Sequence, residues 1–162
     1  MNVVFENLKE EHGKKIMEIF NYYIENSFAA FPNIKLPEKF YDKFIEKSNG
    51  YPAYAIKNND EVVGFCFLSP YNFFSTFKNT ATITYFLSKD YSGQGIGKLC
   101  LDKLGYEARK IGIKNIVAEI SSKNEASLKF HKNNGFEECG RLKEIGNKFG
   151  ENFDVIYMQK TI

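Results

Sequence analysis

Residues 80–98, TATITYFLSKDYSGQGIGK, carry the strongest architectural signal in the chain. The opening segment is rich in Thr, Ile, Tyr and Phe, side chains that suit a pleated and largely buried surface, so a central strand is expected over Thr80 to Ser88. Beyond it Gly93, Gly95 and Gly97 recur at alternate positions, and Leu99, Leu101, Leu104 and Ala108 then mark a helix. Alternating glycines let the backbone turn tightly, so that several N–H groups at a helix start converge on an anion such as a pyrophosphate. On spacing alone a plain strand-to-helix turn fits equally well. Two familiar phosphate loops do not fit, because Lys98 is followed by Leu99 rather than Ser or Thr, and a complete G-x-G-x-x-G spacing in an early βαβ unit is missing.

On the N-terminal side, a strand near Val3 to Glu6 precedes a helix over Glu10 to Glu25, with Ile16, Ile19, Phe20, Tyr23 and Ile24 at helical spacing. A connection carrying Pro32 and Pro37 leads to a second helix, Glu38 to Lys47, with Phe40, Phe44 and Ile45 inward. Two strands, PAYAIK and EVVGFCFLSPY, join through Asn58-Asn59-Asp60 as a hairpin. On the C-terminal side come a strand NIVAEIS, a short helix NEASLKFHKNN, and strands around FEECGRLKEIG and FDVIYMQKTI. The order β-α-α-β-β-β-α-β-α-β-β implies a mixed α/β fold, with helices on both faces of a sheet of about seven strands.

With 162 residues, one domain spanning 1–162 is expected, burying roughly two thirds of the unfolded chain's surface. A formal net charge of +2 is too small to mark a nucleic-acid surface, so a small-molecule partner is expected. Cys66, Cys100 and Cys139 form an odd set without close pairing, which suggests neither a disulfide framework nor a metal site and points to a reduced, cytoplasmic setting. No segment approaches the ~20 apolar residues of a membrane span, so no membrane partner is expected. His12 reads as a solvent-facing residue of a polar helix start, and Cys100 as core.

From Phe86 to Phe136 the chain resembles the GNAT acetyltransferase superfamily: strand, YSGQGIGK loop, helix, second strand, then NEASLKFHKNNGF. FNYYIENSFAAF, the Asn124 to His131 pattern and the ending IGNKFGENFDVIYMQ are similar to its phosphinothricin and amino-acid N-acetyltransferase branch. The resemblance implies a mostly antiparallel sheet splayed between two central parallel strands, binding acetyl-CoA as cosubstrate. It further implies acetyl transfer to the primary amine of a small molecule, an amino acid or analogue, by direct attack in a ternary complex. A protein or peptide acetyltransferase and a non-catalytic acyl-CoA sensor are the alternatives. A homodimer is also implied.

By the same resemblance, main-chain groups around Phe86, Leu87 and Ser88 would pair with the pantetheine arm. The turn Gly93, Gln94, Gly95, Ile96, Gly97 and Lys98 would cradle the pyrophosphate, and Asn124, Ser127, Asn133 and His131 would lie near the cofactor. Ser92 stands where the family's loop usually begins with Arg or Gln.

An alkyl ammonium titrates near 10, so attack on a thioester requires that its proton be removed. In the resembling branch a glutamate before the glycine loop is the usual base, but the matching residue is Thr82, which cannot serve. Glu119 is the candidate in its place, because a charge inside the apolar VAEIS is costly to bury unless paired or functional; a solvent-facing or Lys-paired Glu is the competing reading. His131 stands where many family members protonate the leaving thiolate, with a purely bonding role equally open. Phe28, Phe31, Phe74, Lys78 and Thr82 are the candidate acceptor-binding residues, with simple packing the competing role for the phenylalanines.

Overall fold

The computed structural model describes residues 1–162. The elements in chain order are β1 (Val3–Asn7), α1 (Gly13–Asn26), α2 (Tyr41–Lys47), β2 (Ala53–Asn58), β3 (Glu61–Pro70), β4 (Thr80–Leu87), α3 (Ile96–Lys110), β5 (Asn115–Ser121), α4 (Glu125–Asn133), β6 (Glu137–Lys148) and β7 (Glu151–Thr161). The strands form one sheet in the order β1-β2-β3-β4-β5-β7-β6. Every neighbouring pair is antiparallel except β4 and β5, which are parallel.

Local chemistry accounts for the turns. Asn59 and Asp60 link β2 to β3 with φ of +50° and +67°, the positive values a tight two-residue hairpin demands and that Asn and Asp tolerate. Helices cover both faces of the sheet, which explains why β3 is apolar on both sides rather than alternating. Cys66 and Leu68 pack toward α3 with Ile83, Ile96, Leu104 and Ile116. Phe65 and Phe67 pack toward α1 and α2 with Ile16, Phe20, Tyr41 and Phe44.

The structure corrects two expectations about facing, at Ile45 and at His12. Ile45 is exposed and Tyr41 buried, because the second helix opens with a 3₁₀ turn, Glu38–Phe40, whose tighter winding shifts the phase. Leu99 is exposed, since α3 turns Ile96, Cys100 and Leu104 inward at four-residue spacing. His12 is 2% exposed rather than solvent-facing. Its Nδ1 accepts the Lys9 N–H at 3.0 Å, while Glu6 and Glu11 carboxylates lie 3.5 and 3.9 Å from Nε2. A neutral ring that accepts at Nδ1 carries its proton on Nε2, on the side of the two carboxylates.

Candidate active site

The site begins where the sheet parts. β4 and β5 pair only at Thr80–Asn115, Ala81–Ile116 and Thr82–Val117. Beyond that point β4 stays with β3 as far as Leu87–Gly64, and β5 stays with β7 as far as Ser121–Val155. A gap therefore opens between the two parallel strands, edged by main chain without a strand partner. The Ser88 N–H donates to Val63 O at 2.7 Å, which sets the alternation of β4. Even-numbered residues turn their main-chain groups to β3, and those of Tyr85 and Leu87 turn to the gap. Two sequence expectations are thereby corrected: Phe86 and Ser88 spend their amides on β3, and the Phe86 ring packs against Phe20 and Phe65. Leu87 does face the gap, and its carbonyl accepts from the Tyr23 phenol at 2.5 Å.

The glycine turn lies at the open end of this gap. Gly93 and Gly95 have φ of +73° and +85°, and a Cβ on either would meet nothing within 4 Å, so the backbone is left-handed and the space above it open. Gly95 is the residue before α3, so the first-turn N–H groups of that helix, from Ile96 to Lys98, have no partner within the helix. A Cβ on Gly97 would lie 3.4 Å from the Phe130 ring of α4, an ordinary contact, and no positive φ is needed there. The Ile96 side chain is in the core, which leaves only its amide for a ligand. Gln94 Nε2 donates to Asp90 O at 2.7 Å, and exposed Lys98 pairs with Asp102 at 2.6 Å. Donors of this kind at a helix's positive end suit a diphosphate.

Asn124 precedes α4 and its Oδ1 accepts the Ser127 N–H at 3.3 Å; Asn133, at the other end of α4, is exposed. His131 is 4% exposed, and both ring nitrogens are engaged. Nδ1–H donates to Ser127 O at 2.7 Å, with Ser127 Oγ at 3.2 Å, and Nε2 accepts from the Tyr85 hydroxyl at 2.5 Å. Burial pushes this imidazole below its ordinary value, against the opposing pull of the Ser127 carbonyl, and burial likewise pushes the Tyr85 phenol up. A neutral ring with no free nitrogen is arranged to hold β4 and α4 together, and the thiolate-protonating role has no support in this geometry. Tyr85 was missed from sequence; alternation with Ile83 gave its face but not its partner.

The opposite face of the same strands holds the other candidates. Core residues Ile116, Ala118 and Ile120 face α3, so Val117, Glu119 and Ser121 turn the other way. Glu119 is exposed, so the expectation that its charge is costly to bury is corrected. It stands opposite Tyr157 on β7, and its charge is the main cause that pushes the Tyr157 phenol up. Thr82 marks the apex, the last residue of β4 paired to β5. Farther along this face Phe28 packs on Phe153 with ring centroids at 5.9 Å, and Phe31 stacks on Phe153 at 6.0 Å. Phe74 and Lys78 lie on the exposed connection before β4, where Phe74 packs against Phe73. A separate cleft of about 520 Å³, lined by Leu8, Ile45, Tyr54 and Lys110, contains none of these residues.

The profile of the acetyltransferase (GNAT) family matches residues 16–136. The chain belongs to the GNAT acetyltransferase family. GNAT relatives include the L-amino acid N-acyltransferase MnaT of Escherichia coli, 34% identical over 110 residues that make up 68% of this chain and 64% of that protein. An L-methionine sulfoximine/L-methionine sulfone acetyltransferase of Salmonella typhimurium is 32% identical, again over 68% of this chain and 64% of its own length. The match thus spans somewhat less than two thirds of these relatives. Among solved GNAT structures, a Salmonella typhimurium acetyltransferase with its cofactor acetyl-CoA superposes with a TM-score of 0.91 at 26% identity, covering 99% of this chain and 94% of that one.

Proposed function

We propose that this GNAT protein moves an acetyl group from acetyl-CoA to the primary amine of a small molecule, an amino acid or analogue, with amine and thioester held together in a ternary complex. The observation that carries the reading is the parting of β4 and β5 beyond Thr82 and Val117, beside a glycine turn whose amides are free. The L-amino acid and methionine sulfone activities of the named relatives support the acceptor class.

The residues present fit the coenzyme. Amides from Gly93 to Lys98 would hold the diphosphate at the positive end of α3, while the Tyr85 main chain and the Leu87 amide offer the pantetheine arm a strand edge. Asn124 and Ser127 flank that path at the start of α4. When bound, acetyl-CoA would supply a thioester that an uncharged amine can attack, with the coenzyme's thiolate as leaving group and the second proton lost by the attacking nitrogen returning to that sulfur through solvent. Glu119 takes the ammonium proton, directly or through water, and delivers it to solvent. Tyr157 beside it orients the carboxylate, and Thr82 supplies a hydroxyl at the apex of the gap. Phe28 and Phe31 exclude water from the acceptor side, and Phe74 and Lys78 contribute at its outer rim.

The test is thiol release from acetyl-CoA in the presence of free L-amino acids, L-methionine sulfone, simple amines and short peptides, with coenzyme A binding followed by calorimetry. Turnover confined to small amines is expected. Turnover on peptides alone would replace the acceptor class, and tight binding without any turnover would replace the enzyme by an acyl-CoA sensor. We further propose a homodimer and a cytoplasmic location; two of the three unbridged thiols are buried, which suits a reducing compartment. Light scattering of the purified chain tests the dimer.

A further inference from the structure

Lys148 ends β6 and is only 2% exposed, yet no carboxylate lies within salt-bridge distance of it. Its Nζ donates to two main-chain carbonyls instead, Ser27 O and Ala30 O, both at 2.6 Å, and lies 5.0 Å from the Phe149 ring centroid. Burying an ammonium without a counter-ion is costly, and two carbonyls and an aromatic face offset that cost only in part. The carbonyls belong to the segment that follows α1 and carries Phe28 and Phe31. Its far end is pinned separately, where Asn21 bonds both the amide and the carbonyl of Leu36 at 2.9 Å. On the strand side, Phe153 lies over Gly146, where a Cβ would come within 2.1 Å of the ring. β6 therefore shapes the aromatic wall twice, making room for Phe153 at Gly146 and holding the facing segment at Lys148.

We propose that Lys148 is a positioning residue for the acceptor, fixing Phe28 and Phe31 against Phe153 so that the amine is held at a set distance from the thioester. The inference rests on reading the site as that of an amine acetyltransferase. Lys148 touches neither coenzyme nor amine. It acts through the Ser27–Ala30 carbonyls, which no other side chain satisfies. A neutral residue of similar length leaves one buried and one part-buried carbonyl without this donor and frees the segment.

The test is Lys148→Met, which keeps the aliphatic stem and removes the donors. Amide exchange in residues 27–36, read by mass spectrometry, should speed up at least about tenfold, and KM for L-methionine sulfone should rise roughly 10- to 100-fold with KM for acetyl-CoA unchanged. Lys148→Arg, which keeps donors and charge, should restore most of both. Unchanged exchange in that segment overturns the proposal, as does a matching loss of acetyl-CoA affinity, which would mark a general structural role. Exchange does not depend on turnover, so it decides whether Lys148 holds the segment even if no amine proves to be a substrate, while the KM split decides whether that hold positions the acceptor. If Lys148→Met fails to fold, the same two readouts on Lys148→Gln, with one donor group kept and the charge removed, decide it.

Discussion

The carboxyl and the imidazole singled out as proton-transfer candidates differ in surroundings. Glu119, the proposed base, is exposed beside Tyr157, whereas His131 is buried with both nitrogens engaged. Glu119→Gln should therefore lower kcat by roughly 10²-fold with little change in KM for acetyl-CoA, the usual size of a lost acid–base group. Steady-state kinetics above and below neutral pH would show it, and a kcat within twofold of the parent would remove Glu119 from the proton path. Tyr85→Phe leaves the His131 Nε2 acceptor without its donor, and a loss of about 1–3 kcal/mol is expected. Denaturant unfolding measures this; an unchanged midpoint would mean that the pair contributes nothing to the fold.

At the level of elements, the start of α3 is the proposed cradle for the diphosphate and the glycines before it set its geometry. Gly95 adopts φ of +85°, a conformation that costs a residue with a Cβ about 1–2 kcal/mol. Gly95→Ala should relax toward ordinary backbone, swing the first-turn amides off the diphosphate, and weaken coenzyme A binding by about tenfold, since 1.4 kcal/mol is a factor of ten. Calorimetry with coenzyme A is the readout, and full affinity in the variant would show that those amides do not carry the binding. Gly97→Ala should be milder, because φ is not positive there and a Cβ would meet the Phe130 ring at ordinary contact distance.

Across the whole molecule, acid sensitivity follows from two buried imidazoles. Burial is the leading cause that holds both His12 and His131 below the ordinary histidine value, while in the unfolded chain they titrate near 6.5. The folded state thus binds fewer protons on acidification, so stability is intact above about pH 6.5 and falls as pH drops through it. Unfolding free energies at pH 7.5 and 5.5 check this, and equal values would show that neither ring resists protonation. Much of the architecture was legible in sequence because it is written in local periodicity: the order of seven strands and four helices, the hairpin at Asn59-Asp60, and the glycine turn before a helix all follow from side-chain spacing and turn chemistry. What spacing along the chain could not give is the meeting of distant residues. Nothing local in TATITYFL says that β4 leaves β5 after Thr82, that the Tyr85 hydroxyl reaches His131, or that a lysine at the end of β6 holds carbonyls beyond α1. Those arrangements arise when both faces of the sheet are packed, because burial leaves each main-chain donor and acceptor only the partners that packing brings within reach.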